Sequence, residues 1–480
     1  MPPHHTPRTG APPSDRRAAP PTPSVTRRRI TELDPRALYF VSYDGLVNNN
    51  SFQQNGLFTH RGHQYAAWWT ATRHAVVARR ALGADRADRA GGTGGAGGSG
   101  GWSTITLAHR LKSDDSHNVI SLGHSPLDGR LHLVMDAHSD GYFYVKSAAG
   151  LLDDPAGTAW TPDVLGPVRS TLDGLALTTR FTYPQFLPTP EGRLQLGYRT
   201  GESGDGRNAL AEYDGSAWTE LGEWTGSTGT YTTAHGSSTA RNMYLHGIGY
   251  GGDGLLHAFF TWRERDPAVL RHPGGLTNHD TGYVRSADRG RTWHTDAGTL
   301  VAITGTPDTV TVTDPGLVVD PLGPDHALMN QESQAVDSAG LPHAIISHVP
   351  ERHGPCTGPY AADRAARARA HHLRKDADGR WHKTELPFAL HSSQRTALVL
   401  DRYDNAYAIL PRGRIAAASR SSGHTDWTLL DDGGGLNAFG EVVIDRTRVA
   451  EDHTLSFLYQ EASSGTTPSA LHVADYALPA

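Results

Sequence analysis

Four side chains near the ends of predicted strands supply the acid–base chemistry this chain can do: His117, His138, Tyr183 and Arg199. His117 stands in Asp114-Asp115-Ser116-His117-Asn118, and His138 in Asp136-Ala137-His138-Ser139-Asp140, 21 residues further on across a hairpin-like segment. Tyr183, in Phe181-Thr182-Tyr183-Pro184-Gln185, precedes Arg199 by 16 residues across the next such segment. An imidazole pair, a phenol and a guanidinium suit removal of a proton from a carbon beside a carboxylate, with expulsion of a neighbouring oxygen. The guanidinium pairs with the carboxylate and offsets the charge that builds as the proton leaves. An imidazole and a phenol beside an arginine can serve as base and acid. The expectation is that Tyr183 and His117 transfer protons, His138 positions the substrate and Arg199 holds the carboxylate.

Such residues meet only if the chain brings distant strand ends together. From Leu38 onward, short runs rich in aromatic and β-branched residues alternate with Gly, Asp, Asn and Pro turns, an all-β signature. One unit, a turn followed by an alternating strand, recurs around Gly62, Gly129, Gly192, Gly254, Gly340, Asn405 and Thr454. The steps are 67, 63, 62, 86, 65 and 49 residues, which predicts one four-stranded blade per copy and a seven-bladed β-propeller. A single such sheet cannot bury both faces alone, whereas radial packing against two neighbours buries them. Ser286-Ala-Asp288-Arg-Gly290-Arg-Thr-Trp293 fits the S-x-D-x-G-x-T-W box of propeller blades, a structural motif. His132, His257 and His343 share one position in the repeat and are expected to pack the blades. The long fourth step is assigned to a loop over Arg263–Asp280, and Ala361–Ala370 is the one helix-compatible stretch.

Residues 1–34, Pro- and Arg-rich with little to bury, read as a disordered tail, leaving 35–480 as one propeller domain with a Gly-rich loop at 91–101. A net charge of -6 with 20% charged residues gives no concentrated basic surface, so nucleic acid is not an expected partner. The lone cysteine, Cys356, excludes an intrachain disulfide. No segment has the apolar length of a membrane span or of a signal peptide. Taken literally this predicts a cytoplasmic, monomeric protein without a membrane partner, and a secreted one if the start is misassigned or the chain truncated.

The succession D-D-x-H-N, D-G-R-L-H-x-x-x-D-x-H, T-Y-P-x-F and Y-R-x-G-x-S-G resembles the ulvan lyases and the related BNR-repeat propellers, over residues 38–478. The resemblance implies a polysaccharide lyase that cuts a rhamnose–uronic acid bond by β-elimination, with an acidic poly- or oligosaccharide as partner. Carried over residue by residue, it places His117, His138, Tyr183 and Arg199 in catalysis, and Tyr244, Arg263 and Asn118 in substrate binding. It also implies a structural zinc that the chemistry does not require, for which His279, His353, Cys356 and His372 offer a tetrahedral donor set. Two alternatives stay open: an exo-acting α-L-rhamnosidase on rhamnose–glucuronate, and a non-catalytic glycan-binding propeller.

Overall fold

The computed structural model describes residues 21–52, 55–83 and 101–479. Seven antiparallel sheets follow one another along the chain as the blades of a β-propeller. Their innermost strands begin at Leu57, Ile120, Phe181, Arg241, Ser333, Ala397 and Val443. Each predicted repeat turn joins the innermost strand of a blade to the second, so the recurring Gly or polar residue marks one face of the ring seven times. Gly129, Gly192, Gly254 and Gly340 have φ between +61° and +86°, a backbone shape that explains glycine at these turns. Connections from second to third strands, and from one blade to the next, necessarily lie on the opposite face.

The blades pack through apolar layers shared by neighbours. Trp293, which closes the S-x-D-x-G-x-T-W box, stacks on Trp224 of the preceding blade with centroids 4.0 Å apart. Such a pair contributes about 0.5–1.5 kcal/mol beyond its buried area. Asp288 fixes the box by accepting from the backbone N–H groups of Arg291 and Thr292 and from the Ser286 and Thr292 hydroxyls. The three repeat histidines are buried and bonded in like fashion: His132 to the Tyr144 hydroxyl, His257 to that of Tyr283, and His343 to His372.

Three expectations are corrected. Thr26–Ala37, placed largely in the tail, is a strand paired antiparallel with Ser469–Ala477, so it forms the outer edge of the last blade. It buries little apolar surface, and its polar composition therefore hides a role carried by backbone hydrogen bonds. Residues 1–20 and 91–100 lie outside the described residues. The fourth blade owes its extra length to the added strands Leu300–Ile303 and Val318–Asp320 as well as to a loop that covers only 265–277. Helix α1 runs over Tyr360–Arg367 and stops before Arg369–Lys375, which is a strand of the fifth blade. A helix unforeseen in sequence, α2, spans Arg446–Asp452.

The ring is tied shut by a buried ionic network. Arg80 of the first blade donates to Gln64, to Thr31 on the closing strand and to Asp475 of the last blade, and Arg448 donates to the other Asp475 oxygen at 2.7 Å.

Candidate active site

His117 lies in the connector between the first two blades and His138 just beyond the second strand of the second blade. Tyr183 and Tyr244 sit near the starts of innermost strands, and Arg199 and Arg263 near the ends of second strands. All six positions belong to the face opposite the repeat turns. There His117, His138, Tyr183, Tyr244 and Arg263 line one cavity of about 180 Å³, together with Tyr43, Arg395 and Glu441.

The two imidazoles are organised by Asp115, which sequence reasoning noticed only as a neighbour. One Asp115 oxygen accepts from His117 Nδ1 at 2.9 Å and the other from His138 Nδ1 at 2.5 Å. The rings stack with centroids 4.1 Å apart and planes 16° from parallel. With both Nδ1 atoms engaged, each ring keeps Nε2 for a ligand. Burial opposes the Asp115 charge, yet the hydrogen bonds from both histidines pull its carboxyl well below the usual range. Burial lowers His117 to about 4, against the raising effect of Asp115, so its imidazole is neutral at physiological pH. Phe52 stacks on the outer side of His117 at 5.2 Å.

Tyr183 and Tyr244 are neighbours, their centroids 6.0 Å apart, and their environments act in opposite senses. Burial, aided by Tyr244, raises the Tyr183 phenol far above its ordinary value. Burial would raise Tyr244 too, but the Arg199 and Arg263 guanidinia outweigh it and hold this phenol below its ordinary value. The Tyr244 hydroxyl donates to Ser203 Oγ at 3.1 Å and accepts from Arg199 Nη1 at 3.3 Å. Tyr183 adopts φ +59°, a strained backbone shape for an aromatic residue.

Arg199 departs from the expected carboxylate-holding position. Its side chain runs under the Tyr183 ring, 4.9 Å from the centroid, and its Nη2 donates to Ser139 and Thr182. It is only 2% exposed and does not line the cavity. The arginines that do are Arg263 and Arg395. Arg395 is engaged by Glu441 and Asn330, whereas the Arg263 side chain makes no ion pair or hydrogen bond among the described residues and lies over the Tyr244 ring, 5.9 Å from its centroid. Arg395 went unnoticed because it lies in the sixth blade's approach, some 200 positions from the motifs, with no local signal around it. Asn118 also departs from expectation: it is buried, donating to Ser113 and accepting from the Trp69 indole through its carbonyl, and does not face the cavity.

The residues proposed for zinc do not fit the ion as a set. His279 is clamped between Glu264 and Asp280 at 3.0 and 2.9 Å, and His372 faces His343. His353 sits in the short turn Glu351–His353, and Cys356 is buried in an apolar cluster where burial pushes its thiol up to about 12. Among the described residues, only Asp115, His117 and His138 form a group of three metal-capable side chains whose ligand atoms lie within 4.8 Å of one another. That group is already joined by the two hydrogen bonds to Asp115.

Residues 63–389 match the model of the BNR repeat-containing family. The sequence is 30% identical over 202 residues to an ulvan lyase, long isoform, of Pseudoalteromonas sp. (strain PLSV), covering 34% of this chain and 20% of that protein. It is 28% identical over 183 residues to the ulvan lyase of Alteromonas sp. (strain LOR), covering 32% and 18%. The matched stretch thus spans about a fifth of the length of these curated relatives. Among solved structures, the polysaccharide lyase Uly1 superposes with a TM-score of 0.67 at 18% identity, over 94% of this chain and 99% of that one. An ulvan lyase bound to GlcA(1-4)Rha3S gives 0.60 at 13% identity, over 92% and 94%. At these identities the superpositions speak to the fold alone, a seven-bladed propeller.

Proposed function

The chain belongs to the BNR repeat-containing family, and from that premise we propose that it is a polysaccharide lyase acting on a rhamnose–uronic acid glycan by β-elimination. The observation that carries this reading is a cavity where an unpaired guanidinium, Arg263, adjoins two phenols whose ionisation is pushed in opposite directions. Paired groups driven apart in this way are suited to acid and base roles.

In the reaction, Arg263 pairs with the uronate carboxylate and spreads the charge that builds on it. Tyr244, held acidic by Arg199 and Arg263, accepts the C5 proton as its phenolate. The electron pair forms the C4–C5 double bond as the C4–O4 bond breaks, and Tyr183, which keeps its proton, donates it to the departing O4. The Nε2 atoms of His117 and His138, oriented by Asp115, bind the sugar beside the reacting carbons. This moves the carboxylate-holding role from Arg199 to Arg263 and leaves Arg199 to tune the base. Protons and electrons balance with no co-reactant.

Hydrolysis by two carboxylates is less well supported. The carboxylates lining the cavity, Asp44 and Glu441, are taken up by Tyr360 and by Arg395, and neither is free to act as acid or nucleophile. The test is incubation with rhamnose–glucuronate and rhamnose–iduronate glycans while following the ultraviolet absorbance of a conjugated unsaturated uronate. New reducing ends without that chromophore would mean hydrolysis, and binding without either would mean a lectin-like propeller.

A further inference from the structure

A second, larger cavity of about 610 Å³ opens on the same face, between the loops of the sixth and seventh blades. Its volume falls in the range of about 300–1,000 Å³ typical of ligand sites. It shares a wall with the active-site cavity: Ser393 and Gln394 line both. The connector leading into the sixth blade is therefore a ridge, with His391 facing one cavity and Arg395 the other. A single backbone segment around Ser393 and Gln394 separates the two.

The ridge is fixed in place. Gln394 Nε2 donates to the Asp44 carbonyl, and its side chain packs so closely on Gly440 that a Cβ there would meet Gln394 Oε1 at 1.0 Å. Arg414 anchors the base of the ridge by donating to the Ala389 and Leu390 carbonyls at 2.9 and 2.8 Å.

Three side chains of the larger cavity share a further property. His391, Arg412 and Asn437 have φ of +53°, +70° and +52°, and none of their side chains has a hydrogen bond or ion pair among the described residues. Tyr43, Asp44, Tyr183 and Gln331 of the active-site cavity carry the same left-handed conformation. Asp432 at the rim and the half-exposed ring of Phe439 complete a lining of planar polar groups beside an aromatic face, the mixture that binds the hydroxyls and apolar faces of a sugar ring.

We propose that this cavity is a second sugar subsite, which takes a ring of the same glycan chain whose neighbouring unit occupies the cavity of His117 and Tyr244. The assignment rests on the lyase reading for the identity of the chain and on the shared ridge for its path. Arg412 and Asn437 hold the ring through its hydroxyls, and Phe439 lies against its face.

The test compares the unsubstituted protein with the double variant Arg412→Asn, Asn437→Gly, whose new residues both adopt positive φ and so preserve the loops. Each is given the shortest rhamnose–uronate oligosaccharide that is cleaved and the polymer. The expected result is a rise of about tenfold in KM for the polymer, with kcat unchanged and the shortest substrate unaffected. A polymer KM that stays the same, or a rise that is equal for both substrates, overturns the subsite while leaving the elimination reading intact. Calorimetric titration with the same two glycans covers the case of no turnover. Polymer binding weakened only in the double variant would then uphold the subsite and remove the lyase reading, and equal binding by both proteins would overturn the subsite.

Discussion

Arg199 donates to the Tyr244 hydroxyl at 3.3 Å from behind the cavity wall, where the guanidinium itself is out of a substrate's reach. It can therefore set the ionisation of the phenol without competing for the sugar carboxylate.

If Tyr244 is the base, activity rises as pH climbs through its pKa, because only the phenolate accepts the proton. Arg199→Met removes the positive charge that lowers that pKa, so the rise should move to higher pH while the fold, checked by circular dichroism, survives. Tyr244→Phe should reduce kcat by about 10²–10⁴-fold, the usual contribution of a general base. The pH profile of kcat/KM distinguishes the two variants, and a profile unmoved in Arg199→Met would remove Arg199 from this role.

Asp115 fixes which nitrogen of each histidine carries the proton. In Asp115→Asn the amide replaces an acceptor-only carboxylate and cannot satisfy both Nδ1–H groups equally. A fall of about 10²–10³-fold in kcat/KM is expected. The sign for His117 follows from its surroundings: Asp115 raises a pKa that burial holds at about 4, so its loss lowers that value further. Chemical shifts of the His117 ring against pH would record the change.

Asp475 ties the closing strand's blade to the first through Arg80 and is held within its own blade by Arg448, all of them buried. Burial raises its pKa, but the two guanidinia outweigh this and leave it below the ordinary carboxylate value. Its contribution is therefore complete above the unfolded-state pKa of about 3.9 and is lost as pH falls through the lower folded value. Asp475→Ala leaves two buried cations short of a partner and should cost about 3–5 kcal/mol at neutral pH. Urea titrations at pH 7 and at progressively lower pH would show the gap between variant and parent closing.

The ring itself was legible because five of the seven repeat turns carry a glycine of positive φ, Gly62, Gly129, Gly192, Gly254 and Gly340, at steps of 62 to 86 residues. His117, His138 and Tyr183 stood out at strand ends and Tyr244 and Arg263 only through the resemblance, and all five line one cavity. Direction was not legible. Arg199 and Asn118 occupy the expected positions, yet their side chains turn inward to Tyr244 and Ser113, a choice made by packing that spacing does not encode. Arg395 carries no motif, and Thr26–Ala37 pairs through its backbone, which composition does not report. The zinc set does not come together among the described residues, where His279 pairs with Glu264 and Asp280 and His372 with His343.

The strand pairing Thr26–Ala37 with Ser469–Ala477 also bears on how the protein is made. The ribosome produces this strand before the seven blades, and its partner emerges more than 430 residues later, so the strand waits for the seventh blade. A seam of such sequence separation makes assembly slow. Circular permutation at any repeat turn would relocate that seam, and with it the step that governs folding in the cell.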